Sequence, residues 1–517
     1  MFEMDWSQLS CLMPIWVVLA AALVVVFLDL VISHKDRYVL SWIAFSGAVL
    51  GLLSTGQTLA VLSKQTIWFL NYSSKLHHSQ SLPLILGGAF CVDGFGMLIW
   101  GIACLAGALS ILCVPEQNED AALSSGEYYG LTLLAVAGMM LLAVSHDWMT
   151  LLISLEIMSI STYILTGSNR ENSRSNEAAL KYLVLGAFST AFMLMGMAFY
   201  YGATGNVSLS PSHVLQQMNG QEAFMFLGMG LIFVGAMFKV GASPFHFWIP
   251  DVYEGAPTPI TGLMAVGVKA AAFAVVGRLT FETFGATDLR VNWIEIIRVL
   301  AVLTMAVGNI LAMRQSNLKR MLAYSGIAHT GYLLLAFLVR PDHATDTAAM
   351  NEHLKAVVFY LLTYGVMTLG AFGVIGLMRE DGKPLEEMEN YTGLAKEHPG
   401  IAFCMAMFML SLAGMPPMGG FFAKFLIFQG AIAEGESVAA VLGILTSVAS
   451  LYYYLRVVVA MYMSPSNASS PAPTPGEPAL AARCHYAWAS SLLIYAAGVA
   501  TLIIGLLPGL VSALLFY

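Results

Sequence analysis

Apolar runs follow one another along almost the whole chain, separated by short polar stretches. A bilayer crossing needs roughly 20 mostly apolar residues, and about fourteen runs of that kind begin near Leu12, Val39, Gly87, Tyr128, Trp148, Glu177, Ala223, Pro257, Trp293, Met321, His353, Pro399, Ser437 and Ala487. The short, alternating, turn-punctuated segments of a membrane barrel are not seen. The pattern therefore predicts an all-α integral membrane protein. Two runs carry an internal break, GASPF just after Lys239 and AGMPPMGG just before Lys424. The Pro-rich stretch 464–479 reads as a flexible surface loop ahead of the last span.

Composition agrees with this reading. Of 517 residues, 58% are hydrophobic and only 10% charged, against about 25% charged in a soluble domain. The first ten residues hold Glu3 and Asp5 and no basic residue. They are not the front of a secretory signal, and the run over 12–32 is expected to stay in the membrane. Cys11, Cys91, Cys104, Cys113, Cys404 and Cys484 show no C-x-x-C spacing, and core thiols are expected rather than disulfides or a metal site. No phosphate-binding glycine loop or dinucleotide fingerprint is present. The net charge of −8 is spread over loops and points to no nucleic-acid partner.

The loops orient the chain. With the N-terminus outside, the cytoplasmic loops hold roughly twice as many Lys and Arg as the outer ones, so both termini are expected outside. Lys35, Arg37, Arg174, Lys319 and Arg320 are among the inner set, and Arg278 and Arg456 fall toward span ends, where they can snorkel.

Five basic residues fit no loop: Lys181, Lys239, Lys269, Lys355 and Lys424. All are lysine, which can give up its proton in a desolvated site, whereas arginine cannot. An isolated lysine at mid-membrane costs about 2.5–3.5 kcal/mol on insertion scales, and Lys239, Lys269 and Lys424 lie deepest. One carboxylate, Glu156, shares their environment and is a natural partner for a lysine. A single Glu–Lys pair is consistent with a static packing strut. Three deep lysines against one acid leave at least two without a carboxylate, a state that suits proton movement. Lys181 and Lys355 start their spans and can reach the interface. His329 is a mid-span imidazole, either a relay or a hydrogen-bonded core residue. His246 follows the break after Lys239 and reads as part of the same path or as loop packing.

An internal repeat runs through these positions. NEAALKYLVLGAFSTAF from Asn176 resembles NEHLKAVVFYLLTYG from Asn351. Lys181 with Lys355, Glu156 with His329, and Lys239 with Lys424 then pair off at similar offsets. The offset spans five helices, an odd number, so the second copy is expected upside down, as in many transporters with interrupted helices near the midplane. Broken backbone at membrane depth is tolerated only where protein or internal water satisfies it.

Lys239 with SPFHFWIPDVYEGAPTP, together with SLEIMSISTYILTG, SNEAALKYL, NLKRMLAYSGIAH and MPPMGGFFAKFLIF, resembles the N-subunit family of bacterial proton-pumping NADH–quinone oxidoreductase, respiratory complex I. The resemblance runs over about residues 148–456. It implies an antiporter-like subunit of fourteen helices with two inverted five-helix repeats and interrupted helices 7 and 12. The expected divisions are 1–127 (helices 1–3), 128–281 (helices 4–8), 293–463 (helices 9–13) and 464–517 (loop and helix 14). It implies proton-transfer roles for Glu156, Lys239, Lys269 and Lys424, with Lys181 matching a helix-6 lysine. The place of Lys355 rests on the repeat alone. It also implies partners: an M-type antiporter-like subunit, small K-, J- and A-type subunits, the lipid bilayer, and a quinone reduced elsewhere in the complex. No cofactor is expected in this chain; flavin mononucleotide and iron–sulfur clusters are expected in partner subunits. The expected location is the bacterial inner (plasma) membrane. Two other readings stay open, a subunit of a multi-subunit sodium/proton antiporter and a purely structural membrane subunit.

Overall fold

Each apolar run becomes a helix because lipid offers its backbone no hydrogen-bond partner. The structure is a computed structural model that describes residues 10–32, 36–63, 84–114, 125–209, 222–283, 290–339, 347–380, 383–463 and 488–516. In chain order the rods are α1 (Met13–Asp29), α2 (Tyr38–Ser63), α3 (Gly94–Leu112), α4 (Gly126–Val144), α5 (Trp148–Thr166), α6 (Ser173–Thr204), the broken α7 (α7a, Glu222–Val240; α7b, Trp248–Gly255) and α8 (Thr258–Thr283). They continue as α9 (Arg290–Ala312), α10 (Leu318–Leu334), α11 (Thr347–Leu377), the broken α12 (α12a, Pro399–Ala413; α12b, Gly419–Ala433), α13 (Ser437–Tyr462) and α14 (Trp488–Leu506). Eleven of these helices are long and apolar enough to cross a membrane on their own. Met13–Asp29 and the two halves of α12 are shorter apolar helices. Cys484, the Pro-rich stretch 464–479 and the polar stretch 64–81 lie outside the described residues.

Polar residues mark where spans begin. Asp93, Ser125, Asp147, Asn172 and Asn317 each accept a hydrogen bond from a backbone amide in the first turn of α3, α4, α5, α6 and α10. These caps satisfy amides that the helix cannot. Short hairpins, Leu84–Ile85 with Phe90–Cys91 and Arg379–Glu380 with Lys383–Pro384, decorate the loops.

Helix α8 lies at the centre, with every residue of its apolar window buried, and α11 beside it is nearly as enclosed. Helix α6 packs along both halves of α7, and α11 packs along both halves of α12. Helix α14 lies against α11 and both halves of α12. The α6–α7a crossing is close enough that a Cβ on Gly196 would stand 2.6 Å from the Gly228 carbonyl oxygen. Such close approach is how membrane helices associate when the hydrophobic drive is absent.

Both interrupted helices end in the same way. Gly241 and Gly414 take positive φ of 75° and 86°. Gly241 N donates to Phe238 O and Ala242 N to Met237 O. Gly414 N donates to Ser411 O and Met415 N to Leu410 O. This is the Schellman closure, which needs a left-handed residue that glycine supplies without a Cβ clash.

Candidate functional site

The three deepest lysines are all buried, at 5% exposure for Lys239, 3% for Lys269 and 4% for Lys424. Among the described residues none of them makes an ion pair. Lys239 Nζ, on the last turn of α7a, donates to Ser159 Oγ at 2.8 Å and Tyr163 OH at 3.2 Å, both on α5. Lys269 Nζ, mid-α8, donates to the Gly326 carbonyl at 2.6 Å and reaches Tyr364 OH at 3.5 Å. Lys424 Nζ, on α12b, donates to Leu412 O at 2.9 Å, Ala413 O at 3.0 Å and Ser447 Oγ at 2.8 Å.

Each amine therefore touches at least one hydroxyl. A hydroxyl both accepts and donates, so it serves an ammonium as acceptor and a neutral amine as donor. No partner is stranded by either protonation state, and an unpaired polar group is the costly outcome in a dry interior. A carboxylate partner would instead favour the charged form.

Aromatic side chains connect two of the amines. Lys269 Nζ lies 5.0 Å from the Tyr364 ring, whose centroid is 5.0 Å from that of His329. His329 meets Tyr332 edge-on at 5.7 Å, and Lys424 Nζ lies 5.2 Å from the Tyr332 ring. The imidazole itself is held by hydroxyls at both nitrogens, Nδ1 at 2.6 Å from Tyr360 OH and Nε2 at 3.2 Å from Tyr454 OH. Tyr454 in turn bonds Ser325. Tyr332 OH accepts from Asn309 Nδ2 at 2.9 Å, and Asn309 Oδ1 accepts from Tyr453 at 3.0 Å. The link from Lys269 toward α7a is shorter. Thr330 Oγ1 lies 2.8 Å from Val240 O and 3.2 Å from Gly326 O, the carbonyl that Lys269 also uses.

Other predicted residues stand apart. Glu156 is half-buried and accepts from Thr190 Oγ1 at 2.8 Å. It makes no direct ion pair with Lys239, whose ammonium is taken by Ser159 and Tyr163, about one and two turns further along α5. Lys181 is 42% exposed and bridges Glu177 at 2.7 Å and Asp251 at 2.8 Å. Lys355 is half-buried and pairs with Glu352 at 2.8 Å. His246 is buried beside the α7 break, stacked on Phe247, with no hydrogen-bond partner at Nδ1 among the described residues. Lys239 precedes its break while Lys424 follows its own, so matching the two breaks at Gly241 and Gly414 pairs Lys239 with Leu412.

The count of buried acids needs correcting. Asp93 and Glu282 are each 1% exposed, and both bind Arg278, which does not snorkel but is itself 1% exposed. Glu434 is buried too and lies 3.1 Å from His353 Nε2. Sequence reasoning missed them because each stands within a few residues of a span end, where exposure is the default expectation. Lys319 is also buried rather than in a loop, donating to Glu254 O, Ala256 O and Glu386 Oε1 and so clamping the α7b–α8 turn. Beside it, Arg320 binds Asp251 at 2.7 Å and Glu254 at 2.8 Å. Among the described residues no group of three or more His, Cys, Asp or Glu side chains is arranged to hold a metal.

Comparison with known proteins places this arrangement. A family profile described as "NADH:quinone oxidoreductase/Mrp antiporter, TM" matches residues 145–450. NADH-quinone oxidoreductase subunit N of Trichlorobacter lovleyi is 40% identical over 462 residues, which is 89% of this chain and 88% of the relative. Subunit N 1 of Herpetosiphon aurantiacus is 38% identical over 527 residues, 99% of this chain and 96% of the relative. Among solved structures, a chain of respiratory complex I from Thermus thermophilus with bound aureothin is similar with a TM-score of 0.74 and 32% identity, covering 97% of this chain and 98% of that one.

Proposed function

The chain belongs to the NADH-quinone oxidoreductase subunit N family, the antiporter-like membrane subunits of respiratory complex I, and from that premise we propose that it carries one proton path through the membrane arm. It is a multi-pass subunit of that bacterial translocase and works with its other subunits. The observation that carries the proposal is the hydroxyl company of all three buried amines, with His329 set between two tyrosines.

In this reading Glu156 acts on Lys239 through space. An ionised Glu156 favours the ammonium, and weakening that influence lets the proton leave for Lys269. From Lys269 the proton passes by Tyr364, His329 and Tyr332 to Lys424. Internal water fills the gaps that hydroxyls do not span. Lys181 and Asp251, exposed at the end where α7b meets α8, stand at the entrance. His246 lines the α7 break and Lys355 the start of α11, both as secondary members.

The driving force comes from partners. No ligand set for haem, flavin or iron–sulfur clusters was read in this sequence, so quinone reduction in partner subunits, with their flavin mononucleotide and iron–sulfur clusters, supplies the energy. M-type and small K-, J- and A-type subunits flank the chain in this reading. Both termini face the outer side, and helices α4–α8 and α9–α13 form the two inverted halves. The sodium/proton-antiporter reading gains nothing from the near-full-length relatives above, each a subunit N.

The test is made in the assembled complex in vesicles. Lys239→Ala and Glu156→Ala are expected to lower the protons moved per electron. Wild-type ratios in both variants would take both residues off the path.

A further inference from the structure

The strongest unassigned feature is the sealed charge cluster at the far end of α8. Arg278 Nη1 donates to Glu282 Oε1 at 2.9 Å, and Nη2 to Asp93 Oδ1 at 3.1 Å. Arg278 Nε and Nη2 also donate to the Ala143 carbonyl at 2.9 and 2.8 Å. Glu282 Oε2 lies 3.2 Å from His146 Nδ1, and neither atom has another polar partner among the described residues. Asp93 Oδ2 is likewise buried without one, while Asp93 Oδ1 also caps α3 at Gly96 N. His146 is 5% exposed and the other three side chains 1%.

The charge count decides what this cluster is. Arginine keeps its proton in proteins, so Arg278 is fixed at plus one. Asp93 and Glu282 together bring minus two. The remaining titratable neighbours are His146 and the buried Cys91 thiol, whose backbone carbonyl faces Arg278 Nη2 at 3.5 Å. Asp147, next in sequence, turns its carboxylate away to cap Thr150 N at 2.7 Å. With no added proton the cluster carries a net negative charge in a dry interior, which is costly unless paired. One proton between His146 and Glu282 makes it neutral.

Two structural facts argue against an inert clasp. Helix α8 turns from α to π geometry at Met264–Val268, just before Lys269, and again at Leu279–Thr283, which contains Glu282. π turns within helices concentrate at functional sites. Both distortions in this helix adjoin its ionisable residues. In addition, the segments over the cluster meet at two isolated bridges, Phe90 with Ser145 and Asp147 with Ser208, with backbone bonds from His146 N to Ala89 O at 2.9 Å, Trp148 N to Val207 O at 2.8 Å and Leu209 N to His146 O at 3.1 Å. Isolated bridges, rather than a sheet ladder, join these loops.

We propose that His146, Glu282, Asp93 and Arg278 form a second proton-binding site of this chain, loaded when His146 and Glu282 share one proton and unloaded when they hold none. The His146–Glu282 pair lies about 20 Å along α8 from Lys269 by helical rise, at the opposite end from the Lys181–Asp251–Arg320 face. It is a site on the path separate from Lys424. Loading transfers one proton from a protonated donor on the path, water or amine, to the imidazole–carboxylate pair; the donor's O–H or N–H bond breaks as the new one forms, and no electron is transferred. The inference rests on the proton-path reading above.

The experiment uses the assembled complex in vesicles, measuring protons moved per electron across a pH series. The double variant Glu282→Gln/His146→Gln keeps the neutral Arg278–Asp93 pair and removes the exchangeable proton. It is expected to lower the ratio and flatten its pH dependence. An unchanged ratio and pH profile overturns the proposal. Should that variant not assemble, Asp93→Asn decides. Removing one negative charge loosens the shared proton, so the pH profile shifts to lower pH, and an unshifted profile overturns the proposal equally. Lys239→Ala runs alongside as a control. A fall there with none in the cluster variants defeats only this site, whereas no fall anywhere defeats the proton-path reading itself.

Discussion

The two broken helices close on the same backbone pattern but satisfy their last carbonyl differently. At the α7 break, Val240 O accepts from Thr330, a residue of α10, and Phe238 O accepts from Trp248 Nε1 at 3.1 Å. Lys239 contributes nothing to that closure; its ammonium points to α5. At the α12 break the matching carbonyl, Ala413 O, and its neighbour Leu412 O accept from Lys424 itself. One lysine stands beside its break and the other is built into it. An ammonium at a helix C-terminus is also favoured by the helix dipole. The proton-bearing group and the scaffold are thus separable at α7 and merged at α12.

The sharpest way to break this comparison is to remove the amines. Lys424→Met leaves two carbonyls at membrane depth without a donor, at about 1–3 kcal/mol for each buried unsatisfied group. Lys239→Met strands only hydroxyls, which can turn to other acceptors. Lys424→Met is therefore expected to give less assembled complex and faster thermal inactivation than Lys239→Met. Lys424→Arg keeps donors at the break yet cannot release its proton, so assembly returns while protons per electron stay low. Equal assembly of the two methionine variants would erase the distinction.

A smaller effect is expected at the glycines. A left-handed non-glycine residue costs about 1–2 kcal/mol, common to both breaks. A Cβ on Gly241 would also stand 2.0 Å from Ile249 Cδ1, whereas on Gly414 it would stand 3.0 Å from Lys424 Cδ and 3.3 Å from Nζ. Gly241→Ala should lower stability more, because it also collides with a packed side chain. Gly414→Ala should lower protons per electron more than its stability loss accounts for, because it displaces the amine. Thermal inactivation and pumping measured on the same preparations separate the two. The reverse ranking would mean that the α12 break tolerates a shifted Lys424.

Much of this was legible in the chain before any coordinates. Apolar run length sets the helices, since a bilayer leaves the backbone no other partner, and Pro244 and Pro416 with their glycines mark the breaks. The three deep lysines were legible because each stands alone among apolar residues, well inside its run and away from the charges at the span ends. Their partners were not. Ser159, Tyr364 and Ser447 are ordinary residues of apolar helices, and only packing shows that they face an amine. Glu156 reads as a natural partner for a buried lysine, yet the Lys239 ammonium bonds the hydroxyls of Ser159 and Tyr163. Arg278, Asp93 and Glu282 were hidden for the opposite reason. Each is conspicuously charged, but its nearness to a span end made solvent the default partner, while the folded loops over 89–91, 145–147 and 207–209 enclose it.

The smallest expected effect tests the hydroxyls themselves. Lys239 has two, Ser159 and Tyr163, while Lys424 bonds one, Ser447. Ser159→Ala leaves Tyr163 to accept from the ammonium or donate to the neutral amine. Ser447→Ala leaves a neutral Lys424 with two carbonyls that can only accept, so its lone pair has no donor. A single such bond is worth about 0.5–1.5 kcal/mol net, too little to stop assembly. Ser447→Ala should therefore lower protons per electron and change their pH dependence, while Ser159→Ala changes both less. The pH profile carries the argument, because a serine that only packs would alter thermal stability and leave the profile in place. Identical profiles for wild type and Ser447→Ala would show that Lys424 does not depend on a reversible partner, and the α12 amine would then be scaffold alone.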